Sequence, residues 1–266
     1  MRRSTAASRT GFEPVPIFPA LWLVAALALA AATAGPARAV VGPSEPGAPL
    51  AAGIVMVLNH SGRDAGFCTG IVVSPTAVMT AAHCAPPGAD LRVHYPDQGQ
   101  PPVLLPVAGV ERHPGYRPDA IRTRQRSIDL ALIRLASPLP ARFTPVTLAE
   151  AAEVRPGQRF TLSGYGLGAE GVPASSGRLR STTLAARPPV SPVLLWAGDP
   201  ERKGAGACTG DSGAPLTREG EVSVAAMAVW SAGIGRHSCG DLTQALWIAP
   251  ERGWIVDVLR QWQGAR

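Results

Sequence analysis

The stretch Ala207-Cys208-Thr209-Gly210-Asp211-Ser212-Gly213-Ala214-Pro215 sets one serine in a turn flanked by glycines. Without a Cβ, Gly210 and Gly213 let the backbone crowd against a ligand. In such a turn the amide N–H groups of Gly210 and Ser212 can point at one oxygen, and an anion-binding nest beside a hydroxyl is what acyl transfer requires. A serine hydroxyl is a weak nucleophile until a base takes its proton. Of the five histidines, His83 is the candidate, because it closes the apolar run Val78-Met79-Thr80-Ala81-Ala82-His83-Cys84 in a turn of small residues. A third group must orient that imidazole. Ser127-Ile128-Asp129-Leu130-Ala131-Leu132-Ile133 puts an acid at the head of an otherwise apolar strand. A carboxylate buried there is costly unless hydrogen-bonded, and a ring N–H of His83 would satisfy it. The implied chemistry is attack by Ser212 on a peptide or ester carbonyl, with His83 as base and Asp129 as its orienting partner.

The elements that must hold these residues read as short strands. The chain has 266 residues, 46% of them hydrophobic and 17% charged, with 29 glycines and 27 prolines. That length and composition suit one large or two small globular domains, and frequent Gly/Pro turns between short apolar runs indicate an all-β fold. Gly53 to Leu58 and Gly70 to Val73 read as early strands, Pro86 to Pro106 as loops and edge strands, and Phe143 to Arg155 as a link between two halves. Gly157 to Gly164 opens the second half. Trp254, Ile255, Val258, Leu259 and Trp262 recur at helical spacing and predict a closing helix. Arg117, Arg122, Arg124 and Arg126 crowd the segment before Asp129 and read as a solvated surface loop. His60, His94, His113 and His237 stand in no recognisable ligand spacing and read as structural or surface groups.

Residues 1–39 are of different material. Arg2, Arg3 and Arg9 give a basic start, and Ala20 to Ala34 is an apolar run of 15 residues. A membrane span needs about 20, so the segment reads as a signal peptide rather than an uncleaved anchor. Ala37-Arg38-Ala39 is a small-x-small cleavage site, with Ala32-Thr33-Ala34 as a competitor that would leave residues 35–39 as a short propeptide. The mature chain, 40–266, is therefore expected outside the cell, with no lasting membrane association. Removal of 1–39 takes away four arginines and Glu13, so the formal charge falls from +6 to +3. That is no nucleic-acid footprint. Four cysteines remain, Cys68, Cys84, Cys208 and Cys239; an even count in a secreted chain implies disulfides, with three possible connectivities. Their spacing lacks the paired Cys-x-x-Cys knuckles of a metal site.

Thr80-Ala81-Ala82-His83-Cys84 together with Gly210-Asp211-Ser212-Gly213, and the chain order His83, Asp129, Ser212, resemble the chymotrypsin-like (trypsin-fold) serine endopeptidases. The resemblance runs from about Val40 to Trp262 and takes in His113-Pro114-Gly115-Tyr116, Gly164-Tyr165-Gly166 and Trp254-Ile255. It implies two six-stranded antiparallel β-barrels, about 40–145 and 146–250, with the active site in the cleft between them and a C-terminal helix near 251–263. It implies the pairings Cys68–Cys84 and Cys208–Cys239. It also implies that Asp211 pairs with the α-ammonium of a mature N-terminus at Val40, where Val40-Val41-Gly42 resembles the family's start and Pro43 departs from it. The same resemblance places the specificity pocket at Gly206 and Ala207, with Ser231, Ala232 and Gly233, or a register shifted by one, as its wall. Gly206 supplies no countercharge for a buried cation, so the preferred residue before the scissile bond, P1, is expected to be apolar or small. Asp241 is the acid that a loop change could bring there. The expected partners are a polypeptide substrate and, within the family, a proteinaceous protease inhibitor; no cofactor, metal or nucleic acid is called for, and a monomer is expected.

Two other readings compete. A secreted homologue could keep the fold and act as a binding or regulatory protein without turnover. An α/β-hydrolase esterase would need Gly-x-Ser-x-Gly, but Ala214 stands at the last glycine; its histidine should follow the acid, whereas His237 precedes Asp241.

Overall fold

A computed structural model describes residues 40–42, 44–96 and 101–264. The expected signal segment, its cleavage sites and Pro43 lie outside the described residues. All described residues fall in the compact unit Ala37–Arg266. A short N-terminal strand, β1 (Glu45–Pro46), precedes a barrel of six strands: β2 (Ile54–Ser61), β3 (Asp64–Ser74), β4 (Ala77–Thr80), β5 (Asp90–Tyr95), β6 (Val103–Arg112) and β7 (Ala131–Leu135). These close in the order β2-β3-β4-β7-β6-β5, every neighbour antiparallel. A closed barrel has no unpaired edge. The proline-dense segment Pro86 to Pro106, expected to hold loops and edge strands, contains β5, paired on both sides, and the start of β6, whose residues 103–106 pair with β5 alone. Pro106 fits inside β6 because it marks a hand-over: the last pair with β5 is Arg92↔Pro106 and the first with β7 is Val107↔Leu135. Its missing N–H falls where the strand changes partner.

After β8 (Thr147–Leu148) come β9 (Arg159–Gly164), β10 (Arg180–Ala186), β11 (Leu194–Gly198), β12 (Pro215–Arg218), β13 (Ser223–Ala232) and β14 (Leu242–Trp247). They pair as β9-β10-β11-β14-β13-β12 and return to β9, a second antiparallel six-stranded barrel, with β8 added parallel to β13 and β1 antiparallel to β10. On β10 the even positions Arg180, Thr182, Leu184 and Ala186 are buried and the odd ones half-exposed, the period of two that a one-sided strand requires. The N-terminal segment, numbered with the first barrel above, is bound to the second: β1 pairs with β10, and Val41 bridges Gly206. Val40 is fully buried among residues of the second barrel, with φ 58°. A left-handed backbone at a β-branched residue is strained by about 1–2 kcal/mol.

The C-terminal helix, Arg252–Gly264, buries Ile255 and Val258 and leans Trp254, Leu259 and Trp262 on a core that draws from both barrels: Leu132 and Val55 from the first, Met227 and Leu246 from the second. Each large aliphatic side chain taken fully out of water stabilises by about 1.5–3 kcal/mol. Two barrels and a single closing helix are the architecture expected from the sequence. No helix among the described residues is long and apolar enough to cross a membrane.

Candidate active site

The first barrel presents His83. Beyond β4 the chain enters a short 3₁₀ turn, Ala82–Cys84, with His83 at its centre. Three contacts fix the turn. Cys84 is joined to Cys68 on β3, with Cα atoms 6.1 Å apart. The Asn59 side-chain amide donates to the Cys84 carbonyl at 3.1 Å, and Arg112 Nε donates to the Ala85 carbonyl at 2.6 Å. Asp129 enters from just before β7 and holds the histidine twice: Oδ2 lies 2.6 Å from His83 Nδ1, and Oδ1 accepts the His83 peptide N–H at 3.0 Å. A carboxylate only accepts, so Nδ1 carries the proton and Nε2 is left to take one. Beside them Tyr116 is pushed upward in pKa, first by burial and then by the Asp129 charge, and stays a neutral phenol.

The second barrel presents Ser212, just ahead of β12. Thr69, fully buried on β3, ties this turn to the first barrel. Its N–H donates to the Ser212 carbonyl at 2.9 Å and its hydroxyl donates to the Gly210 carbonyl at 2.9 Å. Thr80 Oγ1 in turn donates to the Thr69 carbonyl at 2.8 Å. Gly210 and Gly213 have φ of 94° and 87°, and a Cβ on either would drive into the Phe67 ring or into Thr69 and Thr80. The turn therefore admits only glycine at both places. Among the described residues, neither the Gly210 nor the Ser212 N–H donates to a protein acceptor, and no hydrogen bond joins Ser212 Oγ to His83. In ligand-free sites such nucleophile–base contacts are often long and tighten with substrate.

Asp211 lies under this turn with no exposed surface. Oδ1 accepts the Gly166 N–H at 2.9 Å and Oδ2 the Cys208 N–H at 3.0 Å. Gly164 and Gly166 press so close that a Cβ on either would strike the carboxyl group. No cation faces Asp211 among the described residues, and burial raises its pKa to about 7 against the pull of the two N–H donors.

The residues expected to shape a pocket fall behind Ser212. Gly206 is sandwiched: its N–H donates to the Val41 carbonyl at 3.2 Å, and Gly240 backs its Cα. Ala207 donates to the buried hydroxyl of Thr243 at 3.0 Å, and Thr243 pairs across the sheet with Ser231. Ser231 Oγ donates to the Ser238 carbonyl at 3.0 Å, while Gly233 sits beyond the strand against His237 and Cys239. Cys239 is bonded to Cys208, Cα atoms 4.7 Å apart, which braces the serine turn against this loop. Asp241 is held by Arg187, Nη1 to Oδ1 3.1 Å, and lines a cavity of about 440 Å³ with Val41, Gly42, Glu170, Lys203 and His237. Asp199 anchors the turn before Gly206. Burial would raise its pKa, but N–H groups of Ala205, Glu201 and Lys203 hold it below the usual range.

Three of these supports were not singled out in the sequence: Thr69, Thr243 and Asp199. A threonine in a strand and an aspartate before a proline carry no local signal of such roles. The remaining histidines are structural or peripheral. His113 donates from Nε2 to Glu251 at 3.1 Å and packs edge-on to Trp254; burial, helped by the Arg126 charge, holds its pKa down against the opposing pull of Glu251. Cys68, Cys84 and His83 bring potential metal-binding atoms together, but both sulfurs are spent in the disulfide and offer no thiolate.

A family model described as Trypsin matches residues 45–245. Human (Homo sapiens) kallikrein-8 is 28% identical over 171 residues, which cover 58% of this chain and 63% of that protein. Glucanase inhibitor protein 1 of Phytophthora sojae is 29% identical over 167 residues, 58% of this chain and 62% of that protein. The match thus spans less than two thirds of the length of either relative. Among solved structures, neuropsin, a serine protease expressed in the limbic system of mouse brain, superposes with a TM-score of 0.65 at 24% identity, over 83% of this chain and 100% of that one. At that identity the likeness is one of fold.

Proposed function

This chain belongs to the trypsin family, and we propose that it is a secreted serine endopeptidase. Ser212 Oγ attacks the peptide carbonyl, His83 Nε2 takes its proton, and Asp129 holds the imidazole in the tautomer that can do so. The N–H groups of Gly210 and Ser212 receive the developing oxyanion, each such donor lowering the barrier by about 3–4 kcal/mol. His83 returns the proton to the leaving amine, and water then repeats the cycle on the acyl-enzyme. The observation that carries this reading is the double contact of Asp129 with His83, joined to a serine turn whose two N–H groups have no acceptor among the described residues.

P1 is apolar or small, because Gly206 and Ala207 bring no charge and Asp241 is engaged by Arg187. Val40 is the mature N-terminus. A cut after Ala39 frees an α-ammonium that neutralises Asp211 and fixes the oxyanion loop. Signal removal and activation are then one event.

The Phytophthora relative is by name an inhibitor, so a binding role without turnover is the second reading. One experiment separates them. The secreted protein is treated with a fluorophosphonate, the labelled peptide is mapped, and hydrolysis is followed on peptides with Leu, Phe, Met, Ala, Arg or Lys at P1. The expected result is a label on Ser212 alone and faster cleavage after the uncharged residues. A folded protein that neither labels nor cuts would overturn the endopeptidase reading in favour of the second.

A further inference from the structure

The loop leading into Asp129 holds Arg117, Arg122, Arg124 and Arg126, all exposed, against a single acid, Asp119. Arg122 approaches Asp119 at 3.4 Å; the other three arginines have no ion-pair partner among the described residues. These cations sit on a built platform. Ala120–Thr123 forms a helical turn, with the Thr123 N–H on the Asp119 carbonyl at 2.9 Å and the Gln125 N–H on the Ala120 carbonyl at 3.1 Å. At the loop's base the Arg117 N–H donates to Ser127 Oγ at 2.9 Å, that hydroxyl donates to the Arg117 carbonyl at 3.3 Å, and the Ile128 N–H donates to the Gly115 carbonyl at 3.0 Å.

Position decides what such a platform can meet. Arg126 is three residues from Asp129, so their Cα atoms are within about 11 Å, and Arg124 is within about 18 Å. Asp129 itself touches His83. The loop therefore leaves the site at Asp129, beside the histidine that a bound polypeptide would cross. Two acids near the base of the loop are engaged elsewhere, Asp129 with His83 and Glu251 with His113.

We propose that this loop docks acidic side chains of the substrate polypeptide, a few residues from the scissile bond. The inference rests on the endopeptidase reading and adds its substrate class. A polyanionic polysaccharide is the less favoured occupant, because four cations in one clasped loop make no extended track and the chain beyond residue 39 carries only +3. Exposed charge pairs each contribute about 1.5- to 5-fold, so two or three acting together give about 10-fold at low salt.

The test uses matched peptides with one fixed P1 residue and Asp, Gln or Lys at positions two to five residues on either side of the bond. Rates are read as kcat/KM at about 20 mM and about 500 mM salt, where screening shortens from about 20 Å to about 4 Å. The expected order at low salt is Asp over Gln by about 10-fold, with Lys slowest, and compression toward equality at high salt. Arg117→Glu, Arg122→Glu, Arg124→Glu and Arg126→Glu together should invert that order, a change that misfolding cannot produce; the fourfold Gln variant should flatten it. Rates within twofold for all three peptides at low salt overturn the docking inference while leaving the endopeptidase reading intact. So does an order that survives charge reversal, or heparin retention by the loop with no peptide preference. A protein that cuts no peptide and leaves Ser212 unlabelled removes both.

Discussion

Two carboxylates serve the two halves of this site, and they are stabilised in opposite ways. Asp129, on the first barrel, keeps part of its surface in water and grips one residue twice, at the ring and at the peptide N–H of His83. Asp211, on the second, is wholly enclosed and receives only peptide N–H groups, with glycines pressed against it and no cation among the described residues. The first arrangement is complete once the barrel closes, because everything it needs lies between β4 and β7. The second holds a charge site without its countercharge. On the proposed mechanism the base is thus preset, and the nucleophile's loop is conditional.

Removing the preset half should have the largest effect. Asp129→Asn keeps the shape but offers an amide N–H to Nδ1, so the ring adopts the wrong tautomer. A loss of about 10⁴-fold in kcat is expected with little change in KM, measured on a neutral peptide. A loss under tenfold would mean that Asp129 does not orient His83.

The conditional half should show itself in pH. The pKa of Asp211 is raised from 3.8 to about 7 in the folded chain. The folded state then holds a proton that the unfolded state releases from about pH 4 upward. Stability of the uncut chain is full below pH 4, falls as pH rises toward 7 by up to about 4 kcal/mol, and levels off above. In a chain beginning at Val40 the ammonium partner removes that window. Denaturant unfolding of both forms between pH 4 and 8 decides it; curves of the same shape for the two would break the contrast.

The smallest effect isolates the packing around Asp211. Gly166→Ala puts a Cβ on the carboxyl group and should displace the oxyanion loop, lowering kcat/KM by about 10²-fold. The NMR signal of the proton between His83 and Asp129 should not move. A shift of that signal would mean that the two halves are not independent.

The contrast also explains what was legible in the sequence. His83 and the serine turn advertise themselves because their chemistry forces short, dense patterns of small residues and glycines. The all-β class was legible in short apolar runs between Gly/Pro turns, and the two barrels through the family resemblance; β10 was not, because its buried face is Arg180, Thr182, Leu184 and Ala186. Thr69 was not, because its role depends on contacts 141 residues away at Gly210. Thr243 matters through its register with Ser231 and its reach to Ala207, and neither is local. Pro106 pointed to an edge because proline cannot donate; only the change of partner along β6 accommodates it. The pairing of Asp241 with Arg187, 54 residues earlier in the chain, left no local signal either.

The left-handed turn at Val40 bears on how the protein is handled. That torsion exists only while a residue precedes Val40, and the side chain is already seated in the second barrel. A tag, fluorophore or fusion partner joined directly ahead of it would keep the kink in place and occupy the nitrogen that the proposed activation pairs with Asp211. Labels belong at the other end, where the helix finishes with Gln263 and Gly264 in solvent. On that activation scheme, a preparation tagged at the front would register as inactive although every residue of its site was intact.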